Sequence, residues 1–158
     1  MRLKKVMRNG NVAEIRVDVK SHAQEFIERK DELIGIALEI IGTKMADYAA
    51  MNLERNPRRV DTGRLKNSLT HQVDGNVVCV GTNVEYAIYV EYGTGRYATR
   101  GGRRTPWLVK VPEGSGGKWA GRAFMTAGMK PNHFLRDALQ DHENEYINIA
   151  KDVLEGNF

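Results

Sequence analysis

At 158 residues, with 24 Lys and Arg, 20 Asp and Glu and a single cysteine, the chain has the composition of an ordinary globular protein, and it is expected to form one domain over residues 1–158. No stretch approaches the roughly 20 apolar residues of a membrane span, and "MRLKKVMRNG" at the N-terminus lacks the apolar run of a signal peptide. One cysteine excludes an internal disulfide and a cysteine-cluster metal site, so a reducing compartment and no membrane contact are expected.

Residues 11–19, "NVAEIRVDV", alternate apolar and polar with Ala13, Ile15, Val17 and Val19 on one side, which predicts a half-buried strand. Ser21 offers a helix N-cap. From there, Phe26, Ile27, Ile34, Ala37, Leu38, Ile41, Met45, Tyr48 and Ala49 recur at three- and four-residue spacing, predicting one long helix over 22–55 with Gly35 and Gly42 as tolerated weak points. Pro57 ends it, and Asp61 or Thr62 can cap a short turn beyond. A hairpin over 67–82 turns at Asp74-Gly75, and Cys79 within "NVVCVGT" reads as a small hydrophobe of its second strand. A short helix from about Val84 to Tyr92 stops at Gly93 and Gly95, with Tyr86 and Tyr89 on a face expected to dock on the sheet.

Glycines, two prolines and four arginines then fill 93–117, predicting a long, irregular, flexible loop. "KWAGRAFMTAG" suits a returning strand around Trp119 to Thr126. A C-terminal helix over 133–155 has Phe134, Leu135, Ala138, Leu139, Tyr146, Ile149 and Val153 on its apolar side. The fold class expected is α+β: a long helix and a C-terminal helix on a small antiparallel sheet, with a long glycine- and arginine-rich loop.

Little in the chain reads as catalytic. His22, His71, His133 and His142 show no paired metal spacing, and neither a nucleophile elbow nor a Walker loop is present. Asp137, Asp141 and Glu145 read as a solvated acidic helix face. No enzyme, cofactor or metal is expected, and a hydrolase built on His71 or His133 with an acidic neighbour is the weakest reading.

Charge is distributed unevenly. Residues 55–130 hold 13 Lys and Arg against 5 Asp and Glu, whereas residues 131–158 hold 2 against 6. Such asymmetry suits either a nucleic-acid surface or head-to-tail contact between copies of one chain, and the sequence does not choose. Arg96, Arg100, Arg103, Arg104 and Lys110, with Tyr97 and Trp107 interleaved, are candidate contacts to a protein partner or to DNA phosphates and bases.

Three segments occur in order: "VDTGRLKNSL", "VGTNVEYAIYVEYGTG" and "HFLRDAL". The chain resembles, over about residues 22–140, the minor tail or neck proteins of long-tailed bacteriophages and prophages, of the Hong Kong ninety-seven gp-ten-like type. The first motif falls on Asp61, Thr62, Gly63 and Leu65, followed by Ser68 and Leu69. The second covers Gly81, Thr82, Tyr86, Ala87, Tyr89, Glu91, Tyr92, Gly93 and Thr94, and the third Phe134, Leu135, Arg136, Ala138 and Leu139. His133 departs from the proline usual before Phe-Leu-Arg, and the insert between Thr94 and Trp119 is long.

The resemblance implies a structural virion protein at the head-tail junction, acting in tail completion or termination or in head-tail joining, and assembled in the bacterial cytoplasm. Its partners would be copies of itself in a ring, hexameric by family analogy, with adjacent head-completion and tail-tube proteins and a transient non-specific contact with phage DNA. The arginine-rich loop would then order on assembly against a neighbour. A basic nucleic-acid-binding module is the alternative from another class.

Overall fold

The computed structural model describes residues 2–8, 12–18, 27–55 and 63–156, with side chains from residue 30 onward. Ser21, His22, Phe26, Pro57, Asp61 and Thr62, predicted to start, stop or cap helices or to carry a motif, lie outside the described residues, as does Val19.

The architecture is α+β. Strands β1 (Arg2–Arg8) and β2 (Val12–Asp18) precede helix α1 (Ile27–Glu54). A four-residue helix α2 (Arg64–Asn67) leads into strands β3 (Thr70–Asp74) and β4 (Val77–Gly81), then helix α3 (Ala87–Tyr92). Strands β5 (Trp107–Lys110) and β6 (Ala123–Thr126) come next, followed by helices α4 (Phe134–Asp141) and α5 (Glu143–Glu155). The main sheet has the order β1-β2-β4-β3 and is antiparallel throughout. Strand β1 is not predicted from sequence, because "RLKKVMR" has too little apolar alternation to signal a strand and is placed by pairing with β2.

Helix α1 lies between the strands β3 and β4 and the helices α4 and α5. Its predicted stripe is the centre of the core: Ile34, Ala37, Leu38, Ile41, Met45 and Ala49 are buried, joined by Leu53 one turn on, with Val78 and Val80 from β4 and Phe134, Leu135, Ala138, Tyr146 and Val153 from the C-terminal helices. The buried amide of Asn52 donates to the Phe134 carbonyl at 3.1 Å, satisfying a polar group that would otherwise be costly in this core.

The two glycines of α1 differ in kind. A Cβ on Gly42 would lie 2.6 Å from His71 Cδ2 and 2.7 Å from Val78 Cγ2, so Gly42 is the contact at which helix and sheet approach, not a tolerated weak point. Gly35 meets nothing within 4 Å. Gly35→Ala should therefore stabilise the protein by about 0.5–1 kcal/mol, because alanine restricts the unfolded chain and fits the helix. A denaturant midpoint that stays put or falls in this variant would refute the prediction.

Two further expectations need revision. The hairpin pairs Asp74 with Val77, so its two-residue turn is Gly75-Asn76, with Gly75 at φ 56°, and Asp74 ends the strand. The C-terminal helix breaks at His142, whose ring stacks on Tyr48 of α1 with centroids 3.4 Å apart. Apolar periodicity continues through the break and so conceals it.

Candidate functional site

The motif residues that the structure describes meet pairwise. Ser68 and Thr82, far apart in the first and second segments, share a hydroxyl hydrogen bond of 2.6 Å. The Ser68 hydroxyl also bonds the Leu65 carbonyl, and Thr82 Oγ1 accepts the Val84 N–H at 3.1 Å. Leu65 is buried and Leu69 packs on the core; Gly63 supplies the left-handed N-cap of α2 at φ 72°, and buried Gly81 ends β4.

The second and third segments are joined by Glu91. Its side chain is fully buried, and its two carboxylate oxygens accept the backbone N–H groups of Leu135 at 2.9 Å and Arg136 at 3.1 Å. The first N–H groups of a helix lack intrahelical partners. His133, at the N-cap of α4, makes no side-chain cap bond, so α3 supplies the cap from 44 residues earlier in the chain. Burial pushes the Glu91 pKa up, while the two N–H bonds pull it back. Backbone bonds from Asn132 to the Val90 carbonyl and from His133 to the Glu91 carbonyl complete the clasp. His133 sits at φ 57°, which proline, fixed near −65°, cannot adopt. Burial lowers the His133 pKa.

Beyond the clasp, the segment predicted as a flexible loop over 93–117 contains ordered structure. The Thr94 N–H donates to the Met129 carbonyl at 2.8 Å, the Met129 N–H to Thr94 Oγ1 at 2.9 Å, and the Arg96 N–H to the Ala127 carbonyl at 3.0 Å. Gly93, Gly95 and Gly128 stand where these two backbones nearly touch: a Cβ on Gly95 would lie 2.2 Å from the Ala127 oxygen, and one on Gly128 2.1 Å from the Thr94 oxygen. The glycines that suggested a loose loop are what permits a tight crossing. From that crossing projects the antiparallel β5-β6 ribbon, pairing Trp107 with Thr126 and Lys110 with Ala123, close to the predicted return strand.

Each candidate contact is placed on or beside this ribbon. Arg96 lies over the Tyr97 ring at 4.9 Å, Arg100 over Tyr92 at 4.2 Å and Arg103 over Trp107 at 5.8 Å, while Arg104 and Lys110 are exposed. Tyr97 and Trp107, read from sequence as stacking platforms for bases, thus each carry an arginine on one face. Sequence reading misses Leu108, Phe124 and Met125 as surface residues, although alternation along two short strands would have signalled them. It also misplaces two tyrosines. Helix α3 docks through Ala87 and Glu91, leaving Tyr86 and Tyr89 exposed.

The acidic face of the C-terminal helices is only partly solvated. Glu145 accepts from Lys44 at 2.6 Å and from the Tyr48 hydroxyl at 2.7 Å, and these two bonds to α1 lower its pKa. His71 pairs with Glu39 at 2.7 Å, linking β3 to α1. Among the described residues, no group of His, Cys, Asp and Glu has the arrangement of a metal site, and no helix is long and apolar enough to cross a membrane.

The family model described as "Bacteriophage HK97-gp10, putative tail-component" matches residues 13–93, from β2 through α3. No curated protein and no solved structure matches the chain.

Proposed function

The chain belongs to the HK97-gp10-like family of bacteriophage tail components, and from that premise we propose that it is a structural subunit of the head-tail junction, completing the tail or joining it to the head. Copies of the chain close a ring, hexameric by family analogy, between head-completion and tail-tube proteins, and the genome passes it in transient contact. The work of such a subunit is to hold and present surfaces, without catalysis.

The observation that supports this reading best is the division of labour along the chain. The hydrophobic core uses residues up to Val90 and from Phe134 onward, Glu91 caps α4, and the segment from 92 to 133 contributes no hydrophobic core residue. That segment instead presents a paired ribbon rich in cations and exposed apolar side chains, as expected of a contact element on a fixed scaffold.

Deleting the gene from the phage or prophage that encodes it, and viewing the induced lysate by negative-stain electron microscopy, tests the proposal. Overlong tails assign termination, and full heads beside unattached tails of normal length assign joining. Complete infectious particles would overturn the reading.

A further inference from the structure

The β5-β6 ribbon has little to pack on within its own chain. Its only extensive contact among the described elements is between its two strands, and a lone two-stranded ribbon is marginal in water. Leu108 and Met125 are cross-strand partners, so they share one face, and they are 53% and 64% exposed. Lys110 lies on that same face two residues from Leu108 and is exposed, as is Arg104 just before the strand, whereas Arg122, paired with Val111 and lying over Trp119, stands on the other face. The ribbon therefore calls for a cover that is apolar at its centre and acidic around it.

One described surface of this chain has that character. Between residues 31 and 54, the exposed acids of α1 are Asp31, Glu32, Glu39, Asp47 and Glu54; Glu39 and Glu54 pair with His71 and Lys66, and the single cation in that span, Lys44, is held by Glu145. Ile36 and Met51 are also exposed there, at 37% and 59%. At 3.6 residues per turn, Glu32, Ile36, Glu39, Asp47, Met51 and Glu54 fall within one outward stripe. The outer face of α5 is a poorer match, because it includes exposed Lys151 and no large exposed apolar side chain. DNA would meet the cations but not Leu108 and Met125.

We infer that the β5-β6 ribbon of one copy docks on the outward stripe of α1 of a second copy, through Leu108 and Met125 against Ile36 and Met51, with Lys110 facing the acids of the helix. This rests on the reading of the chain as an assembly subunit. Ribbon and stripe are different surfaces of one chain, so the contact is head-to-tail and propagates into a ring or a filament.

Opposite charges on opposite surfaces allow a test by rescue. The pair Glu32→Lys with Asp47→Lys reverses the stripe, and the pair Arg104→Glu with Lys110→Glu reverses the ribbon. Each doubly substituted chain then opposes like charges to itself, and its self-association should weaken by about tenfold or more. A mixture of the two restores attraction at every junction and should associate as wild type does. Only folded chains can give this recovery, so it also controls for misfolding.

The full chain would additionally bear a photo-crosslinking phenylalanine analogue at position 108, and adducts would be mapped by mass spectrometry with random duplex DNA present. Adducts to residues 27–55 of a second copy, lost in each reversed chain and regained on mixing, are expected. Absence of inter-copy adducts, adducts mapping to 134–155 or elsewhere, adducts to DNA in their place, or no recovery on mixing would each overturn the inference. The phenotype of the gene deletion does not depend on which surfaces meet, so these failures leave the junction role standing.

Discussion

Glu91→Ala is expected to destabilise the fold by about 3–5 kcal/mol. Two backbone N–H groups at the buried start of α4 lose their only cap, each costing on the order of 1–3 kcal/mol, and truncation of a fully buried side chain leaves a cavity. Glu91→Gln separates these contributions. It keeps the volume but offers one oxygen and turns an amide N–H₂ toward a backbone N–H, so a loss of about 1–3 kcal/mol is expected.

The pH dependence has a definite sign. Burial raises the folded pKa of Glu91 above its ordinary 4.5, so the folded state holds the proton more tightly than the unfolded chain. The stability this contributes is fully present below the ordinary value and is lost as pH rises through the raised one. Chemical denaturation across that window should show the gap between wild type and Glu91→Gln narrowing with rising pH. A gap that widens would mean that the carboxylate, not the carboxylic acid, is the preferred buried form.

Gly128→Ala is the second large effect, and its readout is local. At φ 113° the new Cβ would meet the Thr94 carbonyl oxygen at 2.1 Å, a backbone atom that cannot swing aside. Left-handed strain of about 1–2 kcal/mol adds to an overpacking cost of about 1–3 kcal/mol, for a total of about 2–5 kcal/mol. Gly95→Ala, 2.2 Å from the Ala127 oxygen at φ 61°, should behave alike. Gly101 has φ 64° but open space around it, so Gly101→Ala pays the strain alone. Amide hydrogen exchange gives the check: the Thr94 and Arg96 protons, which bond Met129 and Ala127, should lose protection in Gly128→Ala and keep it in Gly101→Ala. Equal protection in both would show that the crossing does not hold the ribbon.

Features set by local pattern were legible in the sequence, and those set by distant partners were not. The α1 stripe from Ile34 to Ala49 follows helical spacing alone, and an Asp-Gly-Asn stretch between alternating residues marks the β3-β4 turn within one residue. Periodicity states that Tyr86 and Tyr89 share a side of α3 but not which side the protein covers, and here solvent takes it. Gly42 looks the same as Gly35 in a helical run, since its role depends on His71 and Val78 in another element. Glycine richness over 93–128 is equally compatible with slackness and with close crossing of two backbones, and only the Thr94–Met129 pairing tells them apart. For the site, the residues that meet in the clasp fall within two of the ordered segments. Their joint meaning, a carboxylate at 91 capping a helix at 134, required three-dimensional proximity.

The crossing of residues 94–96 with 127–129 also bears on the thermodynamics of encounter. A slack arm of the same composition would lose its conformational freedom at the moment of contact, at about 0.5–1.5 kcal/mol per immobilised long side chain and more for its backbone. Here the two chain segments that enter and leave the ribbon are hydrogen-bonded to each other at its base, and part of that ordering is complete when the monomer folds. Any partner of the ribbon would meet it already aimed, and the association rate should depend more on the direction of approach than on a search among loop conformations.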